Sequence, residues 1–191
     1  HLIHSLKYKH QPEIGIFLGE IMGKELAASP LYQNIDYIIP VPIHHKRRKE
    51  RSYNQTEKIA IGIQKHIQKP IIKNNLIRTI YRESQTTLTN RPRWKNARGI
   101  YKLLRPEQLK NKHILLVDDV ITTGATITSC GKELCKANNI KISIYGGSHD
   151  EKIGVRLAGF PKGFCADLNA LQKFLARRAP GNSDLATPRK E

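Results

Sequence analysis

One stretch constrains this chain more than any other: His113–Thr126, which reads HILLVDDVITTGAT. Ile114-Leu115-Leu116-Val117 is an unbroken apolar run, as expected of a strand buried on both faces. At its carboxyl end the run delivers two adjacent carboxylates, Asp118 and Asp119. A short loop of threonine and glycine follows. Residues Gly124–Asn138 then carry Ile127, Cys130, Leu134 and Ala137 at helical spacing. In open α/β sheets, ligands bind outside the carboxyl ends of the strands. The helix start adds unpaired N–H groups and a partial positive charge, both suited to phosphate. The expected phosphate cradle is therefore Val120, Thr122, Thr123, Gly124, Ala125 and Thr126, with hydroxyl donors from the threonines and close backbone approach at Gly124.

The two carboxylates need a separate explanation, because they would repel a phosphate held too near. Adjacent acids can accept hydrogen bonds from two vicinal hydroxyls, or contact a divalent cation. A ribose 5-phosphate satisfies both halves, with its diol on the acids and its phosphate on the loop. The plain structural alternative is a helix-capping loop with two solvent-facing acids. A Walker-type loop is excluded by the missing Gly-Lys-Ser/Thr ending, and a dinucleotide fingerprint by the missing Gly-x-Gly-x-x-Gly.

The rest of the chain supplies the frame for such a site. Its 191 residues, 39% of them hydrophobic, can build a core. Pro12 and Glu13 open a helix that ends near Ala28–Pro30, with Ile14, Phe17, Leu18, Ile21 and Met22 at helical spacing. Ile35–Val41 reads as a buried strand stopped by Pro40 and Pro42. The basic run His44–Arg51 follows. Asn54 with Glu57 then starts a second helix through a capping-box variant, with Ile59, Ala60, Ile63 and Ile67 on its apolar face. Shorter strands are expected within Pro70–Arg78 and Gly99–Leu104, separated by the long polar loop Tyr81–Arg98. A last strand falls at Lys141–Tyr145. The predicted class is α/β, with a mainly parallel central sheet flanked by helices. From Gly146 onward the chain turns linker-like, with one short helix expected at Leu168–Arg178 and a disordered tail at Ala179–Glu191.

The net charge of +17 attracts anions, whether nucleic acid, acidic membrane or phosphorylated small molecules. It does not choose among them, and a solvated basic surface is the plain alternative. No apolar run approaches the roughly 20 residues needed to cross a bilayer. Cys130, Cys135 and Cys165 form no CxxC pair and no zinc spacing. Cys130 reads as a buried free thiol, and few, unpaired cysteines suit a reducing cytoplasm. The chain opens on His1 rather than Met, which reads as a segment of a longer frame.

The acid pair with its loop resembles the phosphoribosyl-pyrophosphate (PRPP) motif of type I phosphoribosyltransferases. Three further stretches narrow the resemblance. The segment Pro40–Glu57, PVPIHHKRRKERSYNQTE, is similar to the ComF family of competence-associated, phosphoribosyltransferase-like proteins. Leu2–Tyr8 resembles that family's opening segment. Ser84–Leu88 and Arg93–Tyr101 resemble its long loop, although Gly99-Ile100-Tyr101 stands where the family often has Gly-Ala-Phe. The likeness runs from Leu2 to about Tyr145. It implies a type I phosphoribosyltransferase fold with a small hood over residues 1–145, followed by a non-family extension over 146–191. It also implies that an N-terminal zinc-binding, cysteine-rich segment of the family is missing here.

What the resemblance implies about the site follows residue by residue. Asp118 and Asp119 hold the ribose diol and meet Mg²⁺, through water. Val41, Pro42, Arg47 and Arg48 bind pyrophosphate, using non-proline amides between Val41 and His44 in a loop often of unusual backbone geometry. Gln85, Thr86, Arg91, Arg93 and Arg98 belong to a hood loop that closes over PRPP and excludes water. Trp94 reads as packing, and His44 and His45 as surface residues rather than acid–base groups. The implied activity is Mg²⁺-dependent transfer of a ribose 5-phosphate group to an unknown nitrogen acceptor. The competing implication is a non-catalytic accessory role in DNA uptake, with single-stranded DNA or DNA-uptake proteins as partners.

Overall fold

The computed structural model describes residues 11–80, 99–121 and 124–148, and the backbone of 155–160. Its centre is β4 (His113–Ile121), built on the apolar run that dominates the sequence. β4 lies between two parallel neighbours, β1 (Tyr37–Pro40) and β5 (Lys141–Ser148). β6 (Val155–Phe160) pairs antiparallel with β5, giving the order β1-β4-β5-β6.

Alternation along β4 sorts its side chains onto two faces. Ile114 and Leu116 join a cluster with α4 (Ala125–Leu134) and with a separate antiparallel ladder of β2 (Leu76–Arg78) and β3 (Tyr101–Leu103). Leu115 and Val117 join a second cluster with α1 (Pro12–Ala28) and α3 (Gln55–Ile67). A parallel sheet covered on both faces explains the continuous apolar strand. The expected α/β class, with a central sheet flanked by helices, is the one observed.

β1 ends on Pro40, which an edge strand tolerates because the missing N–H faces no ladder. That edge is still covered. The N–H of Ile38 donates to the Pro70 carbonyl at 3.0 Å, and that of Ile72 to the Ile38 carbonyl at 2.9 Å. The strand expected within Pro70–Arg78 is therefore regular only at Leu76–Arg78. The register of β1 on β4 is pinned by Asp36, whose carboxylate accepts from the N–H of His113 at 2.8 Å.

α1 and α3 approach through glycines. A Cβ added at Gly19 would lie 2.0 Å from the Ile59 carbonyl oxygen, and one at Gly62 would lie 2.1 Å from that of Ile16. The buried face of α1 is Gly15, Leu18, Gly19, Met22, Gly23 and Leu26. Phe17, expected on that face, is 58% exposed.

Three expectations are corrected. The basic run, given no secondary structure by its sequence, is a helix, α2 (His45–Arg51). The chain does not become a linker at Gly146, since β5 runs on through Gly147 to Ser148 and β6 follows, so the extension is more than one short helix. Cys135 is disulfide-bonded, against the expectation of unpaired cysteines, while Cys130 is free and buried as expected. The helix expected at Leu168–Arg178, the tail and the opening segment Leu2–Tyr8 lie outside the described residues.

Candidate functional site

The acid pair does not follow the end of its strand. It interrupts it. β4 pairs with β5 up to Val117 opposite Tyr145, and resumes at Val120 opposite Gly147. Asp118 and Asp119 occupy the irregularity between. A bulge re-aims side chains and twists its strand, so the ladder itself presents the carboxylates. Asp118 is buried and Asp119 half-buried. The Asp118 carboxylate accepts from the N–H of Asp119 at 2.9 Å, and the Asp119 carboxylate from the N–H of Val120 at 2.8 Å. Gly146 makes room beneath the bulge, because a Cβ there would lie 2.9 Å from the Asp118 carbonyl oxygen.

The expected phosphate cradle lies only partly within the described residues. Gly124 is the N-cap of α4 and adopts φ 71°, in the left-handed region that suits glycine. Ala125 and Thr126 then open the helix, as expected. Val120 sits beside the acids on β4. Thr122 and Thr123 lie outside the described residues.

The proline loop stands one strand over, at the carboxyl end of β1. It is rigidly held. The N–H of Val41 donates to the Val117 carbonyl at 2.8 Å. The Val41 carbonyl accepts from Asn54 Nδ2 at 3.1 Å and from Thr56 Oγ1 at 2.7 Å. Asn54 also caps α3, accepting from the N–H of Thr56 at 3.3 Å. This corrects one expectation: the Val41 amide extends the sheet ladder and does not serve an anion. Pro42 has no N–H, so only the amides of Ile43 and His44 remain from the set expected to bind pyrophosphate. No cis peptide bond occurs among the described residues.

The basic side chains divide. Arg48 Nη2 lies 3.1 Å from Glu57 Oε2, an ion pair between α2 and the first turn of α3. That contact engages the guanidinium expected to meet pyrophosphate, and it takes the Glu57 arm of the expected capping box. Arg47, on the same helix, is half-buried. His44 is not a surface residue. It is buried, and its Nδ1 accepts from the N–H of Lys46 at 3.3 Å. Its imidazole also hydrogen bonds to the backbone of Thr79. Burial first, and then the neighbouring His45, hold its pKa below the ordinary value. His45 is exposed, with its ring 4.1 Å from that of His44.

Two residues of this region were not anticipated. Tyr101 on β3 is buried, and its hydroxyl hydrogen bonds with the Thr126 side chain at the start of α4. Arg78 on β2 stands opposite it, with its guanidinium carbon 5.8 Å from the Tyr101 ring centroid. The available signal was slight: a basic residue closing a three-residue apolar strand. Gln85, Thr86, Arg91, Arg93, Arg98 and Trp94 lie outside the described residues. Among the described residues no group of three or more His, Cys, Asp or Glu is arranged to hold a metal ion. A cavity of about 360 Å³ lies at the other end of the strands, lined by residues such as Asn34, Asp36 and Asn139, away from the acid pair.

The arrangement is an α/β sheet whose strand ends carry a proline loop, a carboxylate pair and a glycine that opens a helix. Solved structures similar to it include the glutamine PRPP amidotransferase of B. subtilis, 20% identical, covering 74% of this chain and 30% of that one with a TM-score of 0.48. The nearer likenesses are in sequence. Competence protein F of Haemophilus influenzae is 31% identical over 110 residues, 57% of this chain and 48% of that protein. DNA utilization protein YhgH of Escherichia coli O157:H7 is 26% identical over 147 residues, 75% of this chain and 64% of that protein. These relatives bear out the resemblance to the ComF family. The chain spans about half to two thirds of their length.

No family model matches the chain. A different likeness, 50% over 52 residues, is to the chorismate synthase of Lancefieldella parvula, covering 27% of this chain and 13% of that protein. Stretches of 147 and 52 residues cannot lie side by side in 191, so the two likenesses share residues.

Proposed function

We propose that the chain binds PRPP, with Asp118 and Asp119 on the ribose diol and the start of α4 on the 5-phosphate. The observation that carries this reading is the bulge. It places two carboxylates side by side, five residues before a left-handed glycine that opens a helix. A diol for the carboxylates and a phosphate for the helix start are what ribose 5-phosphate offers. Asp118 and Asp119, adjacent oxygen donors, would hold Mg²⁺ through water, since that ion takes few protein ligands. When bound, it would neutralise charge on the diphosphate. The chain's own groups hold the sugar and steady the leaving diphosphate through the proline loop. If transfer occurs, the anomeric C–O bond to pyrophosphate breaks as a nitrogen acceptor forms the new C–N bond.

Calorimetry with PRPP and Mg²⁺ tests the binding. The wild-type chain should give a saturable heat, and Asp118→Asn with Asp119→Asn should lose at least about tenfold in affinity, as expected for a charge-assisted contact. No heat from the folded wild type would sink the reading.

The names of the relatives favour a second reading, a role in handling DNA. α2 carries exposed His45, Lys46, Arg48 and Lys49 along one short helix. A protein that meets phosphates through such residues binds single strands with affinity falling steeply in salt. Fluorescence anisotropy with a labelled single strand across a salt series measures that slope. Among the described residues, no helix is long and apolar enough to cross a membrane.

A further inference from the structure

Arg78 closes β2 in the antiparallel ladder, paired across it with Tyr101. Its surroundings come from every part of the site. Tyr101, under its guanidinium, hydrogen bonds with Thr126 at the start of α4. The next residue, Thr79, is bonded through its backbone to His44 on the proline loop. The positive charge of Arg78 is felt at His44, at Tyr101 and at Cys130, and the last two also feel Asp118. The residue thus stands on a ladder whose neighbours reach both the start of α4 and the proline loop.

Its hydrogen bonding is incomplete. Nε of Arg78 is buried and has no hydrogen-bond partner. Among the described residues it also has no ion-pair partner. A buried guanidinium donor without an acceptor is costly, and an anionic oxygen is the strongest acceptor that would relieve it. Diphosphate oxygens offer that, and guanidinium can take two of them at once.

We propose that Arg78 is a binding residue for the diphosphate of PRPP, reaching it from the β2–β3 ladder while the proline loop holds the other side. The diphosphate is favoured over the 5-phosphate because the backbone beside Arg78 is tied to His44, on the proline-loop side. This assignment rests on the PRPP reading above.

The test uses the full chain. Calorimetry is run with PRPP, with pyrophosphate and with ribose 5-phosphate, each with Mg²⁺, on wild type, Arg78→Met and Arg78→Lys. Thermal melts are recorded for all three proteins. Arg78→Met should weaken PRPP and pyrophosphate by about tenfold or more and leave ribose 5-phosphate within about twofold. Arg78→Lys, which keeps the charge but loses the fork, should recover part of the loss and covers the case in which Arg78→Met fails to fold. Unchanged PRPP and pyrophosphate binding in a folded Arg78 variant overturns the proposal while the PRPP reading stands. A loss confined to ribose 5-phosphate overturns it as well. A wild type that binds none of the three ligands fails the PRPP reading itself, and this assignment with it.

Discussion

At the start of β4, His113 holds its imidazole between two partners that fix its tautomer. Nδ1 lies 3.1 Å from the Asn34 carbonyl and so donates, while Nε2, 2.8 Å from Ser143 Oγ, accepts. The ring is buried, and burial first, with Lys141 next, lowers its pKa from the ordinary 6.5. The unfolded chain therefore binds more protons as pH falls through about 6.5, so this contribution to stability is complete above that value and is lost toward the folded pKa. Melting temperature should fall between pH 7 and pH 5, and His113→Gln should make that slope shallower. An equal slope in the variant would assign the effect to other groups, His44 foremost. Asn54 makes a different residue-scale test. Asn54→Ala removes both a helix cap and a bond to the Val41 carbonyl, and should cost about 1–2 kcal/mol in urea denaturation.

At the scale of elements, contact between backbones governs what can change. α1 and α3 meet so closely at Gly19 and Gly62 that a methyl group would run into carbonyl oxygens. Backbone cannot swing aside as a long side chain can. Gly62→Ala should therefore destabilise by about 3 kcal/mol or more, read as a lower denaturation midpoint. Gly146 is the counterpart inside the sheet. There an added methyl meets the Asp118 carbonyl oxygen and the Ile121 side chain, so Gly146→Ala should disturb the bulge. PRPP affinity, measured by calorimetry, should drop in this variant by more than its melting temperature alone would suggest. The glycine that reads as the start of a linker is thus a condition for the acid pair's geometry.

For the whole molecule, β5 decides whether the two layers close. It is the parallel neighbour that β4 needs on its second edge, and its Ile142, Ile144 and Tyr145 feed both apolar clusters. A chain cut before Lys141 would expose that edge and both clusters. It should lose its cooperative melt, whereas a chain ending after Ser148 keeps every β4 partner and should retain one. Much of this frame is legible in the sequence. The apolar run of β4 and the face of Ile127, Cys130 and Leu134 on α4 announce themselves, because burial on both faces or on one stripe leaves a period. α2 leaves none, since its charged residues HKRRKER carry no apolar stripe. The two strands of the β2–β3 ladder are three residues each, too short to show a period.

The chain order of residues alone fixed an acid pair, a Gly-Thr loop after it and a proline loop before it, because each depends on local chemistry: a strand's apolar run, a helix start, a missing N–H. Which of those groups can meet a ligand was decided only in three dimensions. The Val41 amide is used by the sheet register, one nitrogen of the Arg48 guanidinium is held by Glu57, and Arg78 stands on a strand that sequence barely marks. The reason is physical. A donor serves one acceptor well at a time, and the acceptor that takes it is chosen by strands and helices far apart in sequence.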